Sequence, residues 1–237
     1  MSNLRAIFPN SKGSVGRMKK RDTPLKPECQ FTMIDLCSGF GGASEAMYQN
    51  EKWCVVRFEN NPLLADVPNT ELVDITSDYF VYLMEVLEDP VTLLWASPPC
   101  HEFSLAYGSP RSIAIREGRE DEYHPDMEIL EYVLLAKAIL DPSYWVIENV
   151  SGSVKYFEPY LGKPRQRVGP FVLWHNLPYE INMGKNMGYV SRNENDKHSA
   201  NPLRANYKAM IPFDLSNHVR NICESPTLHD FIGSEKI

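Results

Sequence analysis

Short apolar runs alternate with segments of helical spacing between residues 31 and 174. Apolar runs of this length are typical of strands in a parallel sheet, because helices cover such a sheet on both faces. The pattern therefore predicts an α/β fold in which a mostly parallel sheet carries helices on both faces. The predicted strands are residues 31–36, 53–58, 72–75, 91–96, 144–147 and 171–174. The predicted helices are residues 43–48, 79–87, 126–140, 156–161 and 215–223.

The helix predicted over residues 126–140 has strong amphipathic periodicity. For the last predicted helix, Ser216 is a candidate N-cap. The apolar positions of the 126–140 helix that we expect to face the core are Ile129, Leu130, Val133, Leu134 and Ala138.

Three segments lack an apolar period. Residues 1–28 are polar and basic, which predicts a mobile arm. Residues 101–124 and 183–210 are predicted to be polar loops. We therefore expect an arm over residues 1–28 and a single domain over residues 29–237, in which residues 175–214 form a short loop-rich segment.

Composition and cysteine usage limit the class of protein. Of 237 residues, 43% are hydrophobic and 23% are charged, which is ordinary for a globular domain. No apolar stretch approaches the roughly 18 residues of a membrane span, and no secretory signal is visible. Five cysteines without a CxxC pair argue against a disulfide framework and against a metal site. A reducing, intracellular compartment is therefore expected.

The net charge of -7 is unevenly distributed. Residues 1–28 contain seven Lys and Arg residues against two acids, so the rest of the chain is strongly acidic. A basic arm on an acidic body occurs in proteins that bind nucleic acids, although a solvated tail has the same composition.

The first predicted strand ends in a glycine-rich turn, from Asp35 to Gly42. Such a turn lets a ligand approach the backbone closely, but this one has neither the dinucleotide fingerprint nor the P-loop lysine. Glu59 ends the next strand, where a carboxylate can accept hydrogen bonds from ribose hydroxyls, and Asp74 ends the third. Each feature alone also occurs in ordinary tight turns and solvated strand ends, but together they favour a nucleoside cofactor.

Two further strand ends carry groups suited to catalysis. Cys100 follows Pro98 and Pro99, and such a stiff turn is a poor place for a core cysteine but can present a thiol over a pocket. A nucleophilic cysteine needs a lowered pKa or a nearby proton acceptor. Glu148 ends a strongly apolar strand, where partial burial would raise its pKa and suit it to donate a proton; its alternative role is an N-cap.

A basic cluster precedes the last predicted strand. Arg165 and Arg167 share a face only if this segment is extended. In a loop they would be ordinary solvated charges.

Taken together, these residues resemble the ordered motifs of the DNA cytosine-5 methyltransferases. The similarity extends from about residue 31 to residue 175, and the combination of PPC with a downstream ENV is specific. The matching segments are DLCSGFGG (35–42), FENNP (58–62), VDIT (73–76), ASPPCHEFS (96–104), WVIENVSG (145–152) and RQRVGPFVLW (165–174).

The resemblance implies a Rossmann-like, S-adenosylmethionine-dependent methyltransferase fold with S-adenosylmethionine as cofactor. Asp35 and the turn from Gly39 to Gly42 would hold this cofactor, and Glu59 would bind its ribose hydroxyls. Asp74 and Ile75 would contact the adenine. The other cofactor-binding positions that the resemblance implies are Cys37, Ser38, Phe40, Asn60 and Pro99.

The resemblance also implies the chemistry. Cys100 would attack C6 of a cytosine flipped out of duplex DNA, and Glu148 would hydrogen-bond or protonate N3 of that ring. Arg165 or Arg167 would steady the base and its developing charge. C5 would then take the methyl group, and loss of the C5 proton and of the thiolate would release the product.

The sequence departs from the family in four places. Cys37 stands where the family commonly has Phe, and Lys163 where the arginine motif commonly begins with Gln. The family's C-terminal Gly-Asn-x-Val segment has only a faint counterpart at residues 215–219. Residues 175–214 are too few for a separate recognition domain. Target recognition would then be rudimentary, or come from a partner subunit, the arm or the 101–124 loop.

Two alternatives to a DNA methyltransferase stay open. The same chemistry could act on RNA, since a related branch of the family methylates transfer RNA. A protein that keeps the fold and the cofactor pocket could instead be a non-catalytic S-adenosylmethionine- and DNA-binding module that needs a partner. A cysteine hydrolase would not explain the glycine-rich turn or the strand-end acids.

Overall fold

The computed structural model describes residues 29–183 and 200–225. The predicted arm, residues 1–28, lies outside the described residues, as do residues 184–199 of the predicted loop-rich segment. Within the described part, no helix is long and apolar enough to cross a membrane.

Seven strands form one sheet in the order β3-β2-β1-β4-β5-β7-β6. The first five strands pair in parallel, and β7 is antiparallel to both of its neighbours. This mostly parallel sheet confirms the predicted α/β fold. The strands are β1 (Phe31–Leu36), β2 (Trp53–Glu59), β3 (Thr70–Leu72), β4 (Leu93–Ala96), β5 (Tyr144–Asn149), β6 (Gln166–Val168) and β7 (Phe171–His175).

Helices cover both faces of the sheet, as predicted. On one face, α1 and α7 pack over a core that includes the buried side chains of Trp53 and Trp95. On the other face, α2, α4 and α5 pack over a core that includes Phe80 and Phe157. The helices are α1 (Glu45–Tyr48), α2 (Asp78–Glu85), α3 (Pro110–Arg116), α4 (Glu128–Leu140), α5 (Val154–Leu161), α6 (Arg204–Ala209) and α7 (Phe213–Glu224).

The strand order reverses between β1 and β4, which are neighbours in the sheet. In open α/β sheets, ligands bind in the crevice at the carboxyl ends of the strands on either side of such a reversal. The glycine-rich turn follows β1 and the Pro-Pro-Cys turn follows β4, so the topology places both at this crevice.

Short elements were the ones that the sequence pattern missed. The third strand is Thr70–Leu72 rather than residues 72–75, and Gln166–Val168 forms a strand that was not predicted. The supposed loop over residues 101–124 contains α3 and a 3-10 turn at Glu120–Glu122. Similarly, α6 lies within residues 183–210. Elements of three to seven residues span too few turns or alternations to produce a clear hydrophobic period.

The helix over residues 126–140 begins at Glu128, and its buried residues are Leu130, Val133 and Ala136. Ala138 is exposed, so its predicted inward orientation is wrong. The buried residues are spaced three positions apart, so the buried face of the helix is rotated relative to the face predicted from i, i+4 spacing.

Ser216 lies inside α7 and is not its N-cap; that position belongs to Pro212. The Ser216 hydroxyl instead donates to the Ala43 carbonyl at 2.6 Å and accepts from the Ala46 N–H at 3.1 Å. These bonds fasten α7 to the start of α1.

The structure contains a disulfide between Cys29 and Cys54, which the cysteine spacing did not predict. Cys54 lies on β2, and Cys29 precedes the neighbouring strand β1, with the two Cα atoms 5.5 Å apart. The expectation that cysteines are reduced is therefore wrong for this pair. Spacing along the chain could not reveal it, because the parallel pairing of two strands brings the residues together.

Candidate active site

The glycine-rich turn after β1 needs backbone conformations that side chains rarely adopt. Cys37, Gly39 and Gly41 have φ angles of 56°, 56° and 75°. A Cβ on Gly41 would also lie 2.4 Å from the Arg57 guanidinium, so both strain and space require glycine at this position. The turn is consequently held in one shape by the residues beneath it.

Arg57 lies fully buried beneath this turn. Its guanidinium donates to the Ser44 hydroxyl at 2.8 Å and to the Gly41 carbonyl at 3.2 Å, and it pairs with Glu45 at 3.0 Å. Ser44 in turn donates to Asp35 Oδ2 at 2.6 Å. The arginine thus links the turn to the carboxylate at the end of β1, a role that the sequence pattern did not indicate.

Asp35 is fully buried, and burial raises the pKa of its carboxyl to about 6, although Ser44 and Arg57 partly oppose the shift. Its Oδ1 atom has no hydrogen-bond partner among the described residues. Buried polar atoms are nearly always paired, so a free carboxylate oxygen next to this turn is a position at which a ligand can donate a hydrogen bond.

Glu59 joins the end of β2 to the glycine-rich turn. Its carboxylate accepts from three backbone N–H groups: Gly39 at 2.8 Å, Asn60 at 3.1 Å and Asn61 at 2.9 Å. Two of these bonds use Oε1 and one uses Oε2, so Oε2 retains acceptor capacity for a ligand hydroxyl.

The structure brings the predicted cofactor-binding acids close to Cys37. The charges of Glu59, Asp35 and Asp74 all raise the pKa of the Cys37 thiol, after the larger effect of its burial. Asp74 is exposed and accepts at 2.9 Å from the N–H of Thr76. The neighbouring Ile75 is buried, with 4% of its surface exposed. Three strand ends therefore converge on one acidic pocket.

The C-terminal part of the chain also reaches this pocket. The ring of Tyr207, on α6, lies 4.4 Å from that of Phe40. A Cβ on Gly42 would lie 2.5 Å from the carbonyl oxygen of Ile211, so the backbone after α6 touches the turn. The faint motif at residues 215–219 lies on α7, which packs on α1. In the sequence, this motif was the signal that the C-terminal part of the chain contributes to the site.

The Pro-Pro-Cys turn after β4 is fixed by hydrogen bonds on both sides of Cys100. The Asn149 side chain donates to the Pro98 carbonyl at 2.9 Å. The Cys100 carbonyl accepts from the N–H groups of Phe103 at 3.1 Å and Ser104 at 2.9 Å. Pro99 lines a cavity of about 180 Å³ next to this turn.

Glu148 is close enough to Cys100 for its charge to affect the ionisation of the thiol. The Cys100 thiol is partly exposed, and burial and the Glu148 charge both raise its pKa. Glu148 is 8% exposed, and burial raises the pKa of its carboxyl to about 7, with a hydrogen bond to Ser97 partly opposing the shift. The acid is therefore more deeply buried than the half-buried position expected from the sequence.

Arg165 and Arg167 flank Gln166 in extended backbone at the start of β6, so they share a face as the sequence allowed. Both side chains are exposed. The register aligns Arg167 with Val172 of β7, which is itself aligned with Asn149 of β5. Arg167 therefore lies two strands away from Asn149 at this end of the sheet. Arg165 lies further back: after burial, its charge is the second cause that lowers the pKa of His175, which is aligned with Val146 of β5.

The family model for C-5 cytosine-specific DNA methylases matches residues 31–158 of this chain. This range contains every predicted site residue except Arg165 and Arg167. No curated protein matches the chain.

Two solved structures are similar over part of their length. A candidate DNA modification methyltransferase encoded within a prophage, from Escherichia coli, is 18% identical with a TM-score of 0.37, over 54% of this chain and 35% of its own. The Entamoeba histolytica methyltransferase EhMeth is 17% identical with a TM-score of 0.45, over 73% of this chain and 64% of its own. This chain thus spans less than two thirds of either.

Proposed function

The chain belongs to the C-5 cytosine-specific DNA methylase family, whose model matches more than half of it, and on that premise we propose that it methylates C5 of cytosine in DNA. The observation that carries the proposal is that the buried Glu148 carboxyl lies near enough to the Cys100 thiol, at the carboxyl end of the sheet, for its charge to raise the pKa of that thiol, after the larger effect of burial. The glycine-rich turn with its acids lies at the same crevice.

The pocket at β1 and β2 fits S-adenosylmethionine, which would supply the methyl group as an electrophile. The free Oδ1 of Asp35 suits the cofactor's amino group, and Glu59 Oε2 suits a ribose hydroxyl. Neither the turn after β1 nor the turn after β2 contains a lysine that could bind a phosphate, which agrees with a nucleoside that lacks phosphates. The proposed cofactor-binding residues are Asp35, Cys37, Ser38, Gly39, Phe40, Gly42, Glu59, Asn60, Asp74, Ile75 and Pro99.

Cys100, as the thiolate, forms a bond from its sulfur to C6 of a cytosine that has left the base stack. The C5–C6 π electrons move towards C5 and the ring, and Glu148 provides the proton at N3 that accommodates them. C5 then takes the methyl group. Solvent water takes the C5 proton, N3 returns its proton to Glu148, and cleavage of the bond from sulfur to C6 restores the aromatic ring and the thiolate.

Glu148 is suited to this step because its pKa of about 7 leaves much of the carboxyl protonated near neutral pH. An ordinary glutamic acid would be almost fully ionised there and could only accept a hydrogen bond. We propose that Arg165 or Arg167 steadies the base and its developing charge with a positive charge.

We propose that residues 29–237 act as one methyltransferase domain in the intracellular compartment that holds its DNA. Residues 175–214 leave little chain for target recognition, so phosphate contacts would supply most of the affinity. The chain would then act on a short or loosely defined site.

Quantifying 5-methylcytosine tests the proposal directly. The purified chain is incubated with S-adenosylmethionine and unmethylated duplex DNA, and the DNA is digested to nucleosides for mass spectrometry. We expect 5-methylcytosine from the wild type and none above background from Cys100→Ala. Cys223→Ala is the matched control, because Cys223 is buried in the core beside α1 and away from the Pro-Pro-Cys turn.

The Cys100→Ala variant should still bind the cofactor, measured by calorimetry, because no proposed cofactor contact involves that thiol. Methylation that survives Cys100→Ala would refute the covalent mechanism. Methylation of RNA but not DNA in a parallel incubation would reassign the substrate.

A further inference from the structure

One arginine ties the segment after Cys100 to the segment after Glu148. We propose that Arg111 is a positioning residue that fixes the separation of the Cys100 thiol and the Glu148 carboxyl. This inference rests on the proposed function, in which both groups act on one cytosine ring. Arg111 lies on α3, within residues that the sequence pattern predicted to be a loop.

The Arg111 guanidinium contacts both segments with one nitrogen. Its Nη1 donates to the Gly152 carbonyl at 2.8 Å and, in a longer contact of 3.5 Å, to the Phe103 carbonyl. Phe103 comes three residues after Cys100, and Gly152 comes four residues after Glu148. A planar, multi-donor guanidinium can bridge two carbonyls in a fixed geometry, which a single ammonium does less well.

The close approach of the two segments is also visible at Gly152, independently of Arg111. A Cβ at Gly152 would lie 2.0 Å from the Phe103 carbonyl oxygen, a backbone atom that cannot turn aside. Phe103 in turn donates its N–H to the Cys100 carbonyl at 3.1 Å. A substitution that displaces the backbone at Gly152 would therefore also displace Phe103, which is hydrogen-bonded to Cys100.

The chain on the other side of Cys100 is tied to the same strand end. Asn149, the neighbour of Glu148, donates to the Pro98 carbonyl at 2.9 Å. Cys100 is consequently held before and after its own position by groups that follow Glu148. C6 and N3 of a pyrimidine have a fixed separation, so the two side chains must match it, and a misplacement of about 1 Å can cost about 100-fold in rate.

The charge of Arg111 is directed into the protein rather than towards a nucleic acid. Its side chain is 11% exposed, and its Nη2 pairs with Glu120 at 3.1 Å. Glu120 also pairs with Lys155 of α5 at 3.1 Å. The loss of Arg111 should therefore change the geometry of the site more than the affinity for DNA.

Four variants separate positioning from binding and from folding. Arg111→Met removes the bridge, Arg111→Lys keeps only the charge, and Gly152→Ala pushes the segments apart while Arg111 remains. Arg119→Met is the matched control, because it removes the same charge from the same segment and its side chain pairs with the neighbouring Glu117. Each variant is tested as the full chain, with its fold checked by circular dichroism.

The first readout separates the rate from the affinities. We expect the single-turnover methylation rate to fall by about 10- to 100-fold in Arg111→Met and Gly152→Ala, with a smaller fall in Arg111→Lys. The dissociation constants for S-adenosylmethionine and for DNA should stay within about twofold of the wild type, because no binding contact is removed. At saturating DNA, the single-turnover rate of Arg119→Met should match that of the wild type.

The second readout needs no methylation. The rate at which iodoacetamide alkylates Cys100, corrected with Cys100→Ser, reports the thiolate fraction. Introduced alone, Glu148→Gln should increase the alkylation rate of Cys100 above that of the wild type, because the Glu148 carboxylate raises the pKa of the Cys100 thiol. In the Arg111→Met background the same change should have a clearly smaller effect, because the two groups are no longer held together.

The proposal is overturned if Arg111→Met methylates at the wild-type rate, or if Glu148→Gln changes alkylation equally in both backgrounds. A fall in rate that is matched by weaker DNA binding would also overturn it, in favour of a phosphate contact. If the wild type does not methylate DNA at all, the proposed function fails, and the alkylation cycle still decides the role of Arg111.

Discussion

The two sides of the crevice are built differently. On the side of β1 and β2, charged groups are paired: Arg57 bonds to Ser44, Gly41 and Glu45, and Glu59 accepts three N–H groups. On the side of β4 and β5, Glu148 is buried and Cys100 is partly buried, both with few compensating contacts, and the pKa of each is raised. The first side is largely a paired polar network, in which Asp35 keeps one unpaired oxygen, and the second side retains ionisable groups with few partners.

The difference matches what each side has to do. A binding surface gains from groups that are already fixed, since ordering them on binding would reduce the affinity. A general acid needs a pKa near the working pH, and burial without full pairing provides this for Glu148, whereas burial moves the pKa of the Cys100 thiol away from neutrality. Asp35 is intermediate, with one oxygen paired and the other free for a ligand.

The largest expected effect comes from neutralising the acid. Glu148→Gln should lower the single-turnover rate by about 10²- to 10⁴-fold near neutral pH, the usual range for a general acid. The wild-type rate should be nearly constant from pH 7 to the thiol pKa, because the thiolate fraction rises as the protonated Glu148 fraction falls. The variant's rate should rise about tenfold per pH unit over that range, because only the thiolate fraction then changes. If the rates of the wild type and of Glu148→Gln depended on pH in the same way, Glu148 would not be the group that supplies the proton.

Removing the buried cation tests the other side. Arg57→Met should lower the free energy of unfolding by about 4 kcal/mol, since Ser44 and the Gly41 carbonyl lose a buried donor. Denaturant titration measures the change, and Arg119→Met, on an exposed pair, should leave the midpoint nearly unchanged. A loss of less than about 1 kcal/mol for Arg57→Met would contradict the view that this side depends on a satisfied network.

The pH dependence of stability gives the smallest of the three effects. The pKa of Glu148 is about 7 in the folded protein and 4.5 as its ordinary value, so the folded state binds more protons between these pH values. The Glu148 carboxyl therefore lowers stability as the pH rises through this window. Relative to the wild type, Glu148→Gln should gain about 3 kcal/mol of unfolding free energy between pH 4 and pH 8. Equal pH dependence in the two proteins would show that Glu148 ionises normally.

The sequence by itself determined the architecture and the order of the site. Buried strands of four to seven residues, such as β1 and β5, are continuous apolar runs, so their positions and the polar residues at their ends can be read directly. Because parallel strands end at one edge of a sheet, the positions of Asp35, Cys100 and Glu148 at strand ends were enough to predict that they share that edge.

Only the tertiary structure shows which charged residues act by holding other residues in position. Arg57 and Arg111 are isolated arginines in sequence, and only the packing of distant segments buries them and supplies their carbonyl and carboxylate partners. Likewise, β6 is too short to show a period, so the common face of Arg165 and Arg167 depended on its pairing with β7. Apolar periodicity is local and appears in sequence, whereas the partners of a buried charge are set by contacts between residues far apart in the chain.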